Sequence, residues 1–172
     1  RTFSSAASDV YKRQKLDLLK NFCNTYIDKP ILKVAGLNPH AGEEGILGNE
    51  EKDWLNSALI AWNKKNRDIQ LFGPLSPDSC WNSSAKAWLN KDAERHDGIL
   101  AMYHDQGLIP MKVIALNYSV NTTIGLPFIR TSPDHGTGFD IAGRGIAQCQ
   151  SMIEAIKAAI EMNKNSRLLN TH

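Results

Sequence analysis

Apolar positions along the chain recur with two periods. From Lys15 to Ile27, Leu19, Phe22, Cys23, Tyr26 and Ile27 fall at helical spacing, and Pro30 follows as a stop signal. Asn49 to Asn66 predicts a second helix with Trp54, Leu55, Ala58, Leu59 and Trp62 on its apolar face. Glu50 and Glu51 in its first turn suit the helix dipole. Gly145 to Asn163 predicts a last helix with Ile146, Cys149, Ile153, Ile156 and Ile160 on one side. A short helix is read at Ser84 to Asn90. Between these lie short continuous apolar runs, the mark of buried strands. They are Ile31 to Gly36, Ile69 to Phe72 (ended by Gly73-Pro74) and Asp97 to Tyr103, with further strands read at Lys112 to Leu116 and Ser119 to Ile124.

Strands alternating with helices predict an α/β layer structure. Residues 1–14, rich in Ser and Ala and without sustained periodicity, are read as a disordered tail or a junction foreign to the fold. Residues 15–172 are read as the folded part. In sheets of this class ligands bind beyond the carboxyl ends of strands. His40, Asp78 and His104 each follow a predicted strand, so one sheet edge should carry all three.

Composition narrows the partners. The 172 residues are 42% hydrophobic and 22% charged with net charge +2, which gives no argument for nucleic acid. No apolar run approaches the ~20 residues of a membrane helix. Cys23, Cys80 and Cys149 are odd in number and form no CxxC pair, so a reduced, cytoplasmic setting is expected.

Four segments carry chemistry. Met102-Tyr103-His104-Asp105-Gln106-Gly107 ends a strand on an imidazole, which can ligate Zn, Co, Fe or Ni or move a proton. The plainer reading is a histidine satisfying backbone groups. Leu37-Asn38-Pro39-His40-Ala41-Gly42-Glu43 offers His40 as a second ligand, or is only a flexible connection. A catalytic metal site of three protein ligands would need another donor. Lys112, Asn121 and Arg130 can hold phosphate or carboxylate, or are solvated surface residues. Asp134 to Gly145 (DHGTGFDIAGRG) is a Gly-rich loop leading into a helix, suited to a nucleotide or simply a helix cap. It is not the GxGxxG fingerprint.

Taken together, LNPHAGE, MYHDQG and VNTTIGLPFIRTSPDHGTGFDIAG, with Lys112 between them, resemble the 4-hydroxythreonine-4-phosphate dehydrogenase family of pyridoxal phosphate biosynthesis. The likeness runs from about residue 15 to the end. It implies the α/β/α fold of isocitrate and isopropylmalate dehydrogenases, here as the C-terminal portion of a two-domain enzyme. By the same resemblance His40 and His104 match two of three divalent-metal histidines, for Zn, Mg or Co. Lys112, Asn121 and Arg130 match substrate-binding positions, with Lys112 and His104 at the chemistry. Residues 131–145 match the loop that contacts NAD or NADP, through His135, Gly136, Thr137, Asp140 and Gly143.

The implied reaction is oxidation of 4-phosphooxy-L-threonine at C3, then decarboxylation to 3-amino-2-oxopropyl phosphate. The implied assembly is a homodimer with a shared active site. The third histidine is expected in an N-terminal half outside this sequence, leaving the chain inactive alone. Two alternatives stand beside this reading. One is a sister dehydrogenase for D-threonate or D-erythronate 4-phosphate. The other is a non-catalytic dimerising fragment. A phosphohydrolase suggested by the dipeptides His96-Asp97 and His104-Asp105 is disfavoured, because such enzymes place these ligands on helices.

Overall fold

The computed structural model describes residues 5–169. Its chain divides into two compact units, residues 1–110 and 111–172, each described by itself.

The first unit is built on a parallel three-stranded sheet in the order β2-β1-β3, with β1 Ile31–Ala35, β2 Gln70–Leu75 and β3 Gly98–Leu100. Leu32 pairs with Leu71 on one side and Gly98 on the other, which makes β1 the central strand. Two helices, α1 (Ser5–Asn24) and α2 (Asn56–Lys65), supply the core. Leu16, Cys23, Leu55, Leu59 and Trp62 bury against Leu32 and Val34, with Ile69 and Met102 closing the cluster. Because side chains alternate across a strand, Lys33 faces the other way. There its ammonium meets Ser83 of α3 (Asn82–Trp88) at 3.0 Å and Glu94 at 2.9 Å.

Several sequence expectations need correction. The helix expected from Lys15 begins at Ser5, so residues 5–14 are helical and not an irregular tail. Residues 1–4 of that tail, and His172, lie outside the described residues. The expected face of α1 is also shifted: Leu16 is fully buried, while Tyr26 lies past the helix end and is exposed. β2 does not stop at Gly73-Pro74 but runs through to Leu75. Proline lacks a donor, and an edge strand tolerates that. Gly73 has φ +148°, and a Cβ there would lie 2.6 Å from the Val34 carbonyl, so only glycine lets β2 pass.

The third strand is shorter than Asp97 to Tyr103, and beyond its carboxyl end the backbone is taken elsewhere. The Met102 N–H donates to the Gln106 side chain at 2.6 Å instead of to a strand. The run from Lys112 is no strand at all. It belongs to α4, His104–Ala115, which carries Pro110 inside it. His104 therefore opens a helix and does not close a strand.

The second unit pairs β4 (Val120–Thr123) antiparallel with β5 (Arg130–Pro133), and α5 (Gln150–Leu169) packs against them. The last helix starts at Gln150, not Gly145. Gly143 and Gly145 adopt left-handed backbone, at φ 73° and 68°, which delays it. The face of α5 turned to the sheet is the small one, with Ser151 and Ala155 buried. Ile153, Ile156 and Ile160 are exposed.

Trp62 is 2% exposed and donates its indole N–H to Asp17 at 2.7 Å. Trp62→Phe removes that bond and leaves a carboxylate without its donor. It is expected to lower stability by about 2 kcal/mol, read as a shift in urea midpoint at unchanged slope.

Candidate functional site

All three strands of the first unit run in the same direction, so their following loops emerge at one edge. His40 comes from the loop after β1, Asp78 from the loop after β2, and His104 from the start of α4 after β3. His40 and Asp78 lie close enough to interact. The Asp78 carboxyl is held below its ordinary range by the Ser76 hydroxyl at 2.5 Å first of all, with the His40 imidazole among the further causes.

His104 is exposed and its Nδ1 lies 2.7 Å from Asp105 Oδ1. A carboxylate only accepts hydrogen bonds, so Nδ1 carries the proton and Nε2 offers its lone pair. That pairing is how ligating histidines are commonly oriented.

The backbone around His40 is unusual. His40, Ala41, Gly42, Glu43 and Glu44 all have positive φ, between 41° and 85°. These residues form a single left-handed turn. Each L-residue in that conformation costs roughly 1–2 kcal/mol, so the surroundings must hold it. Glu51 does much of this. It is 3% exposed and begins a π-helical turn, Glu51–Leu55, ahead of α2. Its Oε1 accepts the backbone N–H of Leu37 at 2.7 Å and of Asn38 at 2.8 Å. Its Oε2 accepts from the Asn38 amide at 2.8 Å. Burial pushes the Glu51 carboxyl up, but the donors from Asn38 and Leu37 outweigh it and the net direction is down. Two glycines make room. A Cβ at Gly42 would lie 2.9 Å from Glu51 Oε2, and one at Gly48 would lie 2.3 Å from the Asn38 side chain.

Gln106 is the other residue that sequence reasoning passed over. It is 8% exposed. Its Oε1 takes the Met102 N–H, and its Nε2 donates to the Gly36 carbonyl at 2.8 Å. One side chain thus joins the end of β1 to the segment after β3. The signal was present in HDQG, but the partner is 70 residues away.

Two exposed imidazoles with a carboxylate at one sheet edge fit part of a divalent-metal donor set. Among the described residues, no group of three or more His, Cys, Asp or Glu comes together as a candidate metal site. His96 is placed elsewhere, between Ser83 and Ser84 at 3.3 and 2.9 Å.

In the second unit, Asp134 is a polar junction. Its carboxylate accepts from Ser119 at 3.1 Å and lies 3.8 Å from the Lys112 ammonium, which also donates to the Asp134 carbonyl at 3.1 Å. The Asp134 N–H donates to the Ser151 hydroxyl at 3.4 Å. Above this junction the Gly-rich loop encloses a cleft of about 790 Å³. His135, Gly136, Thr137 and Gly143 line it, together with Lys112 and the apolar Leu116, Ile141 and Ile146. Asp140 sits on a short turn, Phe139–Ile141, and is not among the lining residues. Asn121 and Arg130 lie on the two-stranded sheet, where Asn121 pairs with Ser132 and Arg130 donates to Thr123 at 2.8 Å.

Residues 6–159 match the family described as pyridoxal phosphate biosynthetic protein PdxA. The chain belongs to that family. A relative from Synechococcus sp. (strain RCC307), named 4-hydroxythreonine-4-phosphate dehydrogenase, is 53% identical over 151 residues, covering 87% of this chain and 46% of its own length. The chain therefore spans about half the length of the curated PdxA relatives it matches. The solved 4-hydroxythreonine-4-phosphate dehydrogenase of Klebsiella pneumoniae superposes with a TM-score of 0.66 at 38% identity, over 84% of this chain and 41% of that one. A terephthalate 1,2-cis-dihydrodiol dehydrogenase from Burkholderia xenovorans LB400 has a TM-score of 0.52 at 32% identity, over 85% and 41%. The α/β architecture read from the sequence is thus the PdxA fold, seen here over part of its length.

Proposed function

We propose that this PdxA chain carries the C-terminal share of an NAD(P)- and divalent-metal-dependent dehydrogenase that oxidises 4-phosphooxy-L-threonine at C3, with loss of CO2 to give 3-amino-2-oxopropyl phosphate. The observation that carries this reading is that His40, Asp78 and His104 each follow one of three parallel strands and so leave the sheet at the same edge. The assembly proposed is a cytoplasmic homodimer sharing its active site.

Each unit supports its own part of the reading. In the first, the imidazole of His40 and Nε2 of His104 are the groups that would hold the metal, His104 reaching across the proposed dimer interface to the neighbouring subunit's site. Bound there, a divalent ion supplies Lewis acidity to the hydroxyl oxygen and to the keto group that follows. Asp105 keeps the His104 ring in the tautomer that offers Nε2. In the second unit, Lys112, Asn121 and Arg130 supply cationic and amide groups for the substrate's phosphate and carboxylate. The cleft walled by His135, Gly136, Thr137 and Gly143 has the size range of a cofactor site and apolar sides for a flat ring. NAD bound there would accept the hydride leaving C3.

The decisive experiment is nicotinamide reduction, followed by absorbance, with 4-phosphooxy-L-threonine and with D-threonate or D-erythronate 4-phosphate offered separately to the full-length protein. Turnover of the amino substrate alone supports the proposal. Preference for the sugar-acid phosphates supports the sister reading. The cleft has its own test. Ala147 lines it, and Ala147→Trp fills space without altering the glycine backbone. NADH affinity, read by fluorescence titration, is expected to fall about tenfold or more, a loss of ~1.4 kcal/mol. Unchanged affinity would move the cofactor elsewhere.

A further inference from the structure

We infer that Asp134 is a positioning residue that ties the Lys112 ammonium to the β4–β5 hairpin, the same hairpin that carries Asn121 and Arg130. The inference rests on the reading of Lys112 as a substrate-binding residue, and it involves no metal.

Of the groups assigned to the substrate, two are fixed by strand pairing. Asn121 pairs with Ser132 and Arg130 with Thr123 in the antiparallel ladder. Lys112 has no such support. It stands in the last turn of α4, and its flexible four-carbon stem fixes nothing by itself. Asp134 holds its ammonium in two ways. The Asp134 carbonyl accepts a hydrogen bond from it at 3.1 Å, and Asp134 Oδ2 stands 3.8 Å away as a counter-charge. An ammonium has three donors, so this hold leaves donors for a ligand in the cleft that Lys112 and Asp134 both line.

Asp134 is itself anchored to the hairpin. The last rung of the ladder joins Val120 to Pro133, and in an antiparallel pair the next rung would join Ser119 to Asp134. A side chain takes over there, as the Ser119 hydroxyl donates to Asp134 Oδ2 at 3.1 Å. The Asp134 N–H donates to Ser151 Oγ at the start of α5, at 3.4 Å. Ser119 and Ser151 are both buried. Within the ion pair the side chain of Asp134 is 15% exposed and that of Lys112 is 43% exposed. The carboxylate is therefore the fixed partner and the lysine is the one being placed.

The test measures the full-length protein with whichever of the phosphorylated acids above it turns over. Asp134→Asn keeps the main-chain contacts and an acceptor for Ser119, and removes the charge facing Lys112. It is expected to lower kcat/KM for the acid about tenfold, as for groups in direct contact, and to leave NADH affinity within about twofold. By charge alone, neutralising a carboxylate beside an anion's site would tighten the acid, so the direction of the change also discriminates. Lys112→Met supplies the second arm. In its background Asp134→Asn is expected to cost nothing further, because the group it acts through is gone. Should Lys112→Met be too slow to assay, the same cycle is read in the acid's affinity by calorimetry. Ser119→Ala frees the carboxylate and is expected to lower kcat/KM less, with the same dependence on Lys112. It decides if Asp134→Asn does not fold. Losses that multiply in the double variant, a tightened acid, or NADH affinity falling as far as kcat/KM overturns the inference and spares the reading of Lys112. A parent that turns over none of the acids, or that Lys112→Met leaves unchanged, overturns both.

Discussion

Replacing His104 with alanine is expected to lower Zn2+ or Co2+ affinity by more than about 100-fold, beyond the range of outer-partner changes. The same variant of the full-length protein is expected to lose turnover to a similar or greater degree, because in the proposed function a bound ion would act directly on the reacting oxygen. The physical ground is the Asp105 contact. His104 already has its Nδ1 proton engaged at 2.7 Å, so Nε2 is the nitrogen presented outward. Asp105→Asn keeps an acceptor but loses its charge, and is expected to cost about tenfold. The ordering His104→Ala, then Asp105→Asn, then parent separates ligand from orienting group. Isothermal titration with metal gives all three values. A His104→Ala protein that binds Zn2+ as the parent does would return this residue to an ordinary helix start.

Glu51→Ala is expected to be the most destabilising substitution among the polar residues of the first unit, at about 3 kcal/mol or more. It leaves the N–H groups of Leu37 and Asn38 without their acceptor, each worth roughly 1–3 kcal/mol when buried, and leaves the Asn38 amide to Glu50 alone. The pH dependence follows from the direction of the shift. The folded Glu51 carboxyl titrates below its ordinary value of 4.5. Its ionised form therefore stabilises the fold fully above about that pH, and the contribution fades as pH falls through the folded pKa. Urea midpoints of the parent and of Glu51→Gln should differ at neutral pH and converge in acid. A gap that is constant with pH would mean that the charge on Glu51 plays no part.

The parts of this molecule that could be read in advance are those decided locally. Ile31 to Ala35 is apolar and bounded by Pro30 and Gly36, and it is the central strand. The face of α2 follows helical spacing, and Leu55, Ala58, Leu59 and Trp62 are buried as the period requires. The parallel order of the first sheet then places His40, Asp78 and His104 at one edge. What failed was decided by distant partners or by ambiguous runs. Leu108 to Ala115 is apolar with a proline in it, which reads equally as strand or helix, and it is helix. The isoleucine stripe of α5 has the right period, yet the sheet of its own unit takes the opposite, small-residue side. Glu51 looks like a helix-start acid until its three donors are seen. Gln106 looks like a linker in HDQG until Gly36 is found at the other end of its amide.

The left-handed turn from His40 to Glu44 has a consequence for anyone wishing to move this motif. Four of its five residues are L-amino acids with side chains, in a conformation that mirror-image residues would favour. A short peptide of residues 36–51 in natural chirality should not keep the turn in water, whereas one with D-residues at 40, 41, 43 and 44 should keep it better. The histidine of LNPHAGE is therefore not a portable linear motif. Grafted onto another scaffold as a loop, it would bring the letters without the shape, unless the buried carboxylate and the strand end that impose the shape travel with it.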